Sequence, residues 1–138
     1  MVGIVRIGAY LPKLRLSRKA ITHANAWLAP GLVSKGHGCR TMAFWDEDAV
    51  TMAVESVRDL LEAGQIDRET IETLYLASTT MPFTDRQNAS IVHAALRLNG
   101  SCSALDVTGN YCAGLSPDLS ARITSSWLVF QSISIGTS

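Results

Sequence analysis

The sequence predicts an α/β fold in which helices cover both faces of a sheet, and three stretches of the chain carry this prediction. Between residues 50 and 61, apolar residues recur at intervals of three and four, which is typical of an amphipathic helix. Residues 74–77 form a short apolar run, and residues 104–107 form a second β-rich run. Strands that alternate with helices along a chain predict a sheet covered on both faces.

The boundaries of these elements follow from local signals. Residues 3–10 are β-rich and are followed by Pro12, which predicts an opening strand closed by a turn. Asp46 is a good N-cap for the amphipathic helix, and Gly64 ends that helix. Residues 84–87 have the form of a capping box. They predict a further helix that ends at Asn99-Gly100 and has these residues on one face: Ile91, Val92, Ala95 and Leu96.

Composition and charge exclude several classes of function. A chain of 138 residues with 47% hydrophobic and 17% charged residues suits one domain with a real core. Twelve basic and twelve acidic residues cancel, which argues against a nucleic-acid partner. No secretory signal or membrane-spanning apolar stretch is evident, so we expect a cytoplasmic protein without a membrane partner. The widely spaced Cys39, Cys102 and Cys112 predict free thiols rather than disulfides or a zinc site.

A candidate nucleophile follows the second β-rich run. Residues 104–107 are followed by small and polar residues and then by Cys112-Ala113-Gly114. A cysteine at the junction between a strand and the start of a helix lies near unpaired backbone N–H groups and the positive end of the helix dipole. Both lower the pKa of its thiol. Such a thiolate suits acyl transfer through a thioester. A buried cysteine that only fills core space has the same local pattern.

Four other motifs precede this cysteine in order: GIVRIGAYLP at residues 3–12, WDEDAVTMA at 45–53, AGQID at 63–67, and LYLASTT at 74–80 followed by Pro82-Phe83. In this order and spacing they resemble the thiolase-fold condensing enzymes. The resemblance is to ketoacyl-ACP synthase III and, more closely, to microbial hydroxymethylglutaryl-CoA synthase-like proteins. It implies the N-terminal half of a thiolase-like fold, with a mixed sheet and helices on both faces, over residues 1–115.

The family also implies a chemistry. Its members are acyltransferases that form carbon-carbon bonds between acyl-CoA or acyl-ACP substrates through a cysteine thioester, here on Cys112. Acyl-CoA is then a substrate, no cofactor or metal is implied, and the intact family forms homodimers. Within the loop predicted over residues 30–41, Gly38-Cys39-Arg40 has the form of the Gly-x-Arg segment beside the coenzyme A tunnel of ketoacyl-ACP synthase III. Arg40 is therefore the candidate CoA-binding residue, although a solvated loop arginine fits the same pattern.

Two alignments of the nucleophile remain open. The family cysteine falls five positions after the strand aspartate, whereas Cys112 falls six positions after Asp106 and Tyr111 occupies the fifth. If the count from Asp106 is kept, Tyr111 stands at the nucleophile position. If the Cys-Ala-Gly motif is matched instead, Cys112 is the nucleophile and one extra residue is absorbed as a bulge.

Two further departures bear on activity. Hydroxymethylglutaryl-CoA synthases carry a glutamate three residues before the proline, where this chain has Thr79, and a hydroxyl cannot replace a carboxylate as a proton acceptor near neutral pH. The family's catalytic histidine comes from a second half, so we expect this chain alone to be inactive. Residues 116–138, with Pro117 about one turn into the expected helix, are expected to be an aberrant or truncated tail. The alternative function is a non-catalytic homologue or fragment that acts as a partner or scaffold subunit.

Overall fold

The computed structural model describes residues 6–109 and the backbone of residues 127–132. The chain divides into two compact units, Leu11–Glu47 and a larger unit formed by Met1–Tyr10 with Asp48–Ser138. The two units are described one at a time. The predicted α/β class is confirmed, because strands and helices alternate in both units. The tail predicted over residues 116–138 falls outside the described residues, apart from the backbone of 127–132.

The smaller unit contains a pair of antiparallel strands. Its elements are β1 (Leu14–Ser17), α1 (Arg18–Ala24), a 3-10 helix (Pro30–Lys35) and β2 (Cys39–Met42). The loop predicted over residues 30–41 is wrong, since this segment holds the 3-10 helix and most of β2. Gly38 has a φ of 76°, a conformation that glycine adopts without strain, and its carbonyl accepts the backbone N–H of Arg18 at 3.0 Å. This turn brings β2 back alongside β1.

The larger unit is built on a three-stranded parallel sheet. Its elements are α2 (Ala49–Gly64), a 3-10 helix (Arg68–Thr70), β3 (Thr73–Ser78), α3 (Asn88–Leu96), β4 (Ser103–Val107) and β5 (Trp127–Ser132). The strand order is β4-β3-β5, so β3 is paired along both edges. In the part of the chain that the structure describes, no helix has the length and apolar character needed to cross a membrane.

The described part of the opening segment is not a strand. Residues 6–10, the described part of the predicted strand over 3–10, have no strand structure. The Arg6 guanidinium donates to the carbonyl of Ala63 at 2.7 Å, and a Cβ on Gly8 would lie 2.6 Å from the carbonyl oxygen of Ser56. The segment therefore runs against α2, and the edges of β3 are already occupied by β4 and β5.

The amphipathic helix begins two residues later than predicted. Its N-cap is Asp48, not Asp46, because the Asp48 side chain accepts from the backbone of Thr51 at 2.8 Å. The Thr51 hydroxyl accepts in return from the backbone N–H of Asp48 at 2.7 Å, which completes a capping box. The predicted end is confirmed: Gly64 is the last helical residue, and Gln65 follows in the left-handed conformation with a φ of 49°.

The core lies between the helices and β3. Leu74 and Leu76 of β3 and Val92 of α3 have no exposed surface. The predicted apolar face of α3 is partly wrong, because Ala95 is exposed and Ala89 is buried in its place. Residues from α2, the end of α3 and the connecting segments complete the cluster: Val50, Ala53, Val54, Val57, Leu61, Ile71, Leu96, Leu98 and Cys102.

Truncation of one leucine on each of two neighbouring strands tests the position of this core. Leu76→Ala is expected to lower the free energy of unfolding by about 2 to 5 kcal/mol, because it leaves a cavity in a fully buried position. Leu105→Ala on β4 is the matched control, since that side chain is 49% exposed, and it is expected to cost less than about 1 kcal/mol. Urea titration followed by circular dichroism measures both, and equal losses would contradict this assignment of the core.

Candidate active site

The carboxyl ends of β3 and β4 lie at the same edge of the sheet. The two strands are parallel, with Thr73 opposite Ser103 and Ala77 opposite Val107. The loop over residues 79–87 after β3 and the residues after β4 therefore leave the sheet on the same side. Ligands of open α/β sheets bind at this edge, outside the carboxyl ends of the strands. This edge is the candidate active site.

Asp106 fixes the start of α3 at this edge. Its Oδ2 accepts from the backbone N–H of Asn88 at 2.7 Å, and its Oδ1 accepts from the backbone N–H of Ala89 at 2.6 Å. The first N–H groups of a helix have no partner within the helix, and a carboxylate at this end also complements the helix dipole. The capping box predicted at residues 84–87 is wrong, because the cap comes from β4 and Gln87 makes no side-chain cap.

The loop over residues 79–87 carries polar groups toward the same edge. Ser78, at the end of β3, is buried, and its Oγ accepts from the backbone N–H of Thr80 at 3.1 Å. Thr79 is exposed. The position that the resemblance assigns to a catalytic glutamate therefore holds a surface hydroxyl, which cannot accept a proton from a substrate carbon near neutral pH.

Within this loop, Arg86 contacts both Phe83 and Asp85. The Arg86 guanidinium lies 5.3 Å from the centre of the Phe83 ring and 2.8 Å from the Asp85 carboxylate. The hydrogen bond from Arg86 lowers the pKa of the Asp85 carboxyl group, and the same bond raises the pKa of Arg86. Both groups are exposed, so water screens their attraction.

Comparisons with known sequences and solved structures show what this chain is similar to. The chain is 34% identical over 110 residues to the hydroxymethylglutaryl-CoA synthase of Methanocaldococcus jannaschii, a match that covers 78% of this chain and 31% of that protein. A variant of OleA from Xanthomonas campestris superposes with a TM-score of 0.76 at 24% identity, over 88% of this chain and 38% of OleA. A 3-oxoacyl-(acyl carrier protein) synthase from Burkholderia xenovorans superposes with a TM-score of 0.73 at 19% identity, over 90% and 38%. No family model matches the chain.

The chain is homologous to hydroxymethylglutaryl-CoA synthases over 78% of its length, and its fold is that of the thiolase-like OleA and 3-oxoacyl-(acyl carrier protein) synthase structures. The predicted resemblance is thus confirmed, both for the hydroxymethylglutaryl-CoA synthases and for the ketoacyl-ACP synthase fold. The chain spans about a third of the length of the curated relatives it matches, since the match covers 31% of the first of them.

Of the two predicted site residues, Arg40 lies within the described part of the chain and Cys112 does not. Cys112, and with it Tyr111, falls outside the described residues, so the choice between the two alignments stays a prediction. Arg40 is half-buried in β2, where it lies opposite Leu16 on β1. It belongs to the smaller unit, whereas Asp106 and the loop after β3 belong to the larger one.

Two polar residues of the site were missed from the sequence. In the sequence Asn88 has no assigned role, and Asp106 is used only to count the spacing to the candidate nucleophile. The available signal was the single acidic residue in the otherwise apolar run at 104–107, because a carboxylate on a half-buried strand needs hydrogen-bond donors. Within residues 6–109, no group of three or more His, Cys, Asp or Glu side chains could hold a metal ion.

The two described cysteines differ in environment and should differ in reactivity. Cys39 is exposed, whereas Cys102 is buried in the core, and burial raises the pKa of the Cys102 thiol. Alkylation requires the thiolate, so in a Cys112→Ser background iodoacetamide is expected to label Cys39 at least about tenfold faster at neutral pH. Peptide mapping measures both rates, and the difference should vanish in concentrated urea. Equal rates in the folded chain would contradict the burial of Cys102.

Proposed function

We propose that this chain supplies the acyl-carrying cysteine of a thiolase-like acyltransferase. The thiolate of Cys112 attacks the carbonyl carbon of a donor thioester, a new thioester forms on Cys112, and the donor thiolate leaves and takes up a proton. The donor is an acyl-CoA or an acyl carrier protein thioester, and the intact enzyme is a homodimer. The carbon-carbon bond then forms with groups of the family's second half, so this chain alone is inactive in condensation, and acylation of Cys112 is the partial step that can be tested on it.

The parallel pairing of β3 and β4 carries this proposal. β4 runs to the carboxyl edge of the sheet, and Cys112 follows Asp106 by six residues. The N-terminus of α3 is fixed at the same edge by the Asp106 carboxylate. Homology to hydroxymethylglutaryl-CoA synthases supports a thioester substrate for a thiol in this position.

A second candidate function is a non-catalytic homologue that acts as a partner or scaffold subunit. Thr79 supports it, because the exposed hydroxyl cannot act as the base for condensation. Tyr111 at the counted nucleophile position supports it as well. Under this alternative, Cys112 is a structural cysteine and does not react with acyl donors.

Acetylation by acetyl-CoA distinguishes the two candidates. The wild-type chain is expected to gain about 42 Da, the mass of one acetyl group, when it forms a thioester. The gain should be absent in Cys112→Ser and present in the matched variants Cys39→Ser and Cys102→Ser. Intact mass spectrometry provides the measurement. A wild-type chain that stays unmodified would favour the non-catalytic partner.

Arg40 is expected to strengthen the binding of the CoA donor. A guanidinium makes charge-assisted hydrogen bonds with phosphates. Arg40→Ala should therefore raise the half-saturating concentration of acetyl-CoA by about tenfold. Lys19→Ala, an exposed cation of the same unit, is the control and should change it by less than about twofold. Similar increases of the half-saturating concentration in both variants would indicate general electrostatic attraction and would contradict a specific role of Arg40.

A further inference from the structure

Asn88 is the first residue of α3, and its side chain is buried with every polar group paired. Only 2% of the surface of Asn88 is exposed. The side-chain Oδ1 accepts from the backbone N–H of Phe83 at 3.1 Å. The side-chain Nδ2 donates to the backbone carbonyl of Phe83 at 2.9 Å and to Oδ2 of Asp106 at 3.0 Å. One amide thus holds both backbone polar groups of a loop residue and also contacts a strand carboxylate.

This amide joins three segments at the carboxyl edge of the sheet. The loop over residues 79–87 is held at Phe83, α3 begins at Asn88 itself, and β4 contributes Asp106. The Asp106 carboxylate receives the backbone N–H groups of Asn88 and Ala89 in addition. The hydrogen bonds form one connected network, so a change at either side chain is felt by the loop.

We propose that Asn88 is a positioning residue of the acyl-transfer site. It holds the loop after β3 at a fixed distance from the end of β4, the strand that leads to Cys112. This role rests on the proposed function, in which Cys112 takes an acyl group from a donor thioester. Reacting groups gain rate from fixed geometry, and a shift of about 1 Å can cost about a hundredfold in rate.

The chemistry of the network requires an amide at position 88 and a carboxylate at position 106. An aspartate at position 88 would lack the N–H groups that bind Phe83 and Asp106, and it would place a second negative charge about 3.0 Å from the Asp106 carboxylate. If both residues are exchanged, an amide at position 106 can donate to a carboxylate at position 88 and only one charge remains. The exchange restores the contact between positions 88 and 106, but it loses the bond to the Phe83 carbonyl and the bond from the backbone N–H of residue 88 to position 106.

Tryptic cleavage after Arg86 measures how often the loop over residues 79–87 opens, and it needs no acyl donor. Arg86 is exposed within the loop, whereas Arg58 lies in α2 and reports unfolding of the unit. The ratio of cleavage at Arg86 to cleavage at Arg58 is expected to rise by about fivefold or more in Asn88→Asp, because a loop that opens locally is cut without global unfolding. The double variant Asn88→Asp/Asp106→Asn should recover part of the difference. Ala95→Ser, at an exposed position of α3, is the control and should leave the ratio unchanged.

The rate of acetylation by acetyl-CoA measures the consequence for the site. Asn88→Asp is expected to lower the maximal rate of Cys112 acetylation by about tenfold or more, with the half-saturating concentration within about twofold of wild type. The double variant should recover part of the rate, and the alkylation of Cys112 by iodoacetamide should be unchanged. A merely structural asparagine would lower acetylation and alkylation together.

Three results would overturn the positioning role, and they are distinguishable. An unchanged cleavage ratio in Asn88→Asp would show that the amide does not hold the loop. A loosened loop with an unchanged acetylation rate would show that the loop position does not matter for acyl transfer, while the proposed function stands. A wild-type chain that is not acetylated would overturn the proposed function and with it any role of Asn88 in acyl transfer.

Discussion

The larger unit depends on one constraint, the pairing of β3 with a parallel strand along each of its edges. The residues from Leu74 to Ser78 are all buried, and β4 and β5 take up the backbone groups of this strand on both sides. β3 is therefore the central strand of the sheet, and both of its neighbours run parallel to it. Because all three strands are parallel, their carboxyl ends meet at one edge, and the site must be assembled there from loops and helix ends.

The elements that local sequence encodes could be predicted, and those that depend on distant contacts could not. The helix Ala49–Gly64 and the strands Thr73–Ser78 and Ser103–Val107 follow from periodicity and apolar runs, since burial on one face or two leaves its mark in a single segment. Residues 6–10 of the predicted opening strand are not a strand, because Arg6 and Gly8 contact α2, and no local pattern in the sequence marks these contacts. The pair of β1 and β2 was missed, since each strand is four residues long and exposed over most of its length.

The same distinction applies to the site. The start of α3 was predicted from a local capping box, yet the acceptor comes from Asp106, 18 residues away along the chain from Asn88. No pattern within one segment encodes such a cap. The resemblance was recognisable because its motifs are local and ordered, and the prediction of Arg40 rests on a local motif of the same kind. Asn88 was not found, since its importance arises only where three segments meet.

The polar groups at the carboxyl edge also limit the chemistry that this part of the molecule can support. Formation of a thioester on a cysteine requires a thiolate, a fixed carbonyl carbon and donors for the developing oxyanion. Abstraction of a proton from an acyl carbon requires in addition a base, and the loop offers the hydroxyls of Thr79 and Thr80 at the positions nearest the end of β3. The loop's carboxylate, Asp85, is paired with Arg86, which lowers its pKa and weakens it as a base. The described edge is therefore better suited to holding a donor for acyl loading than to activating a second substrate for condensation.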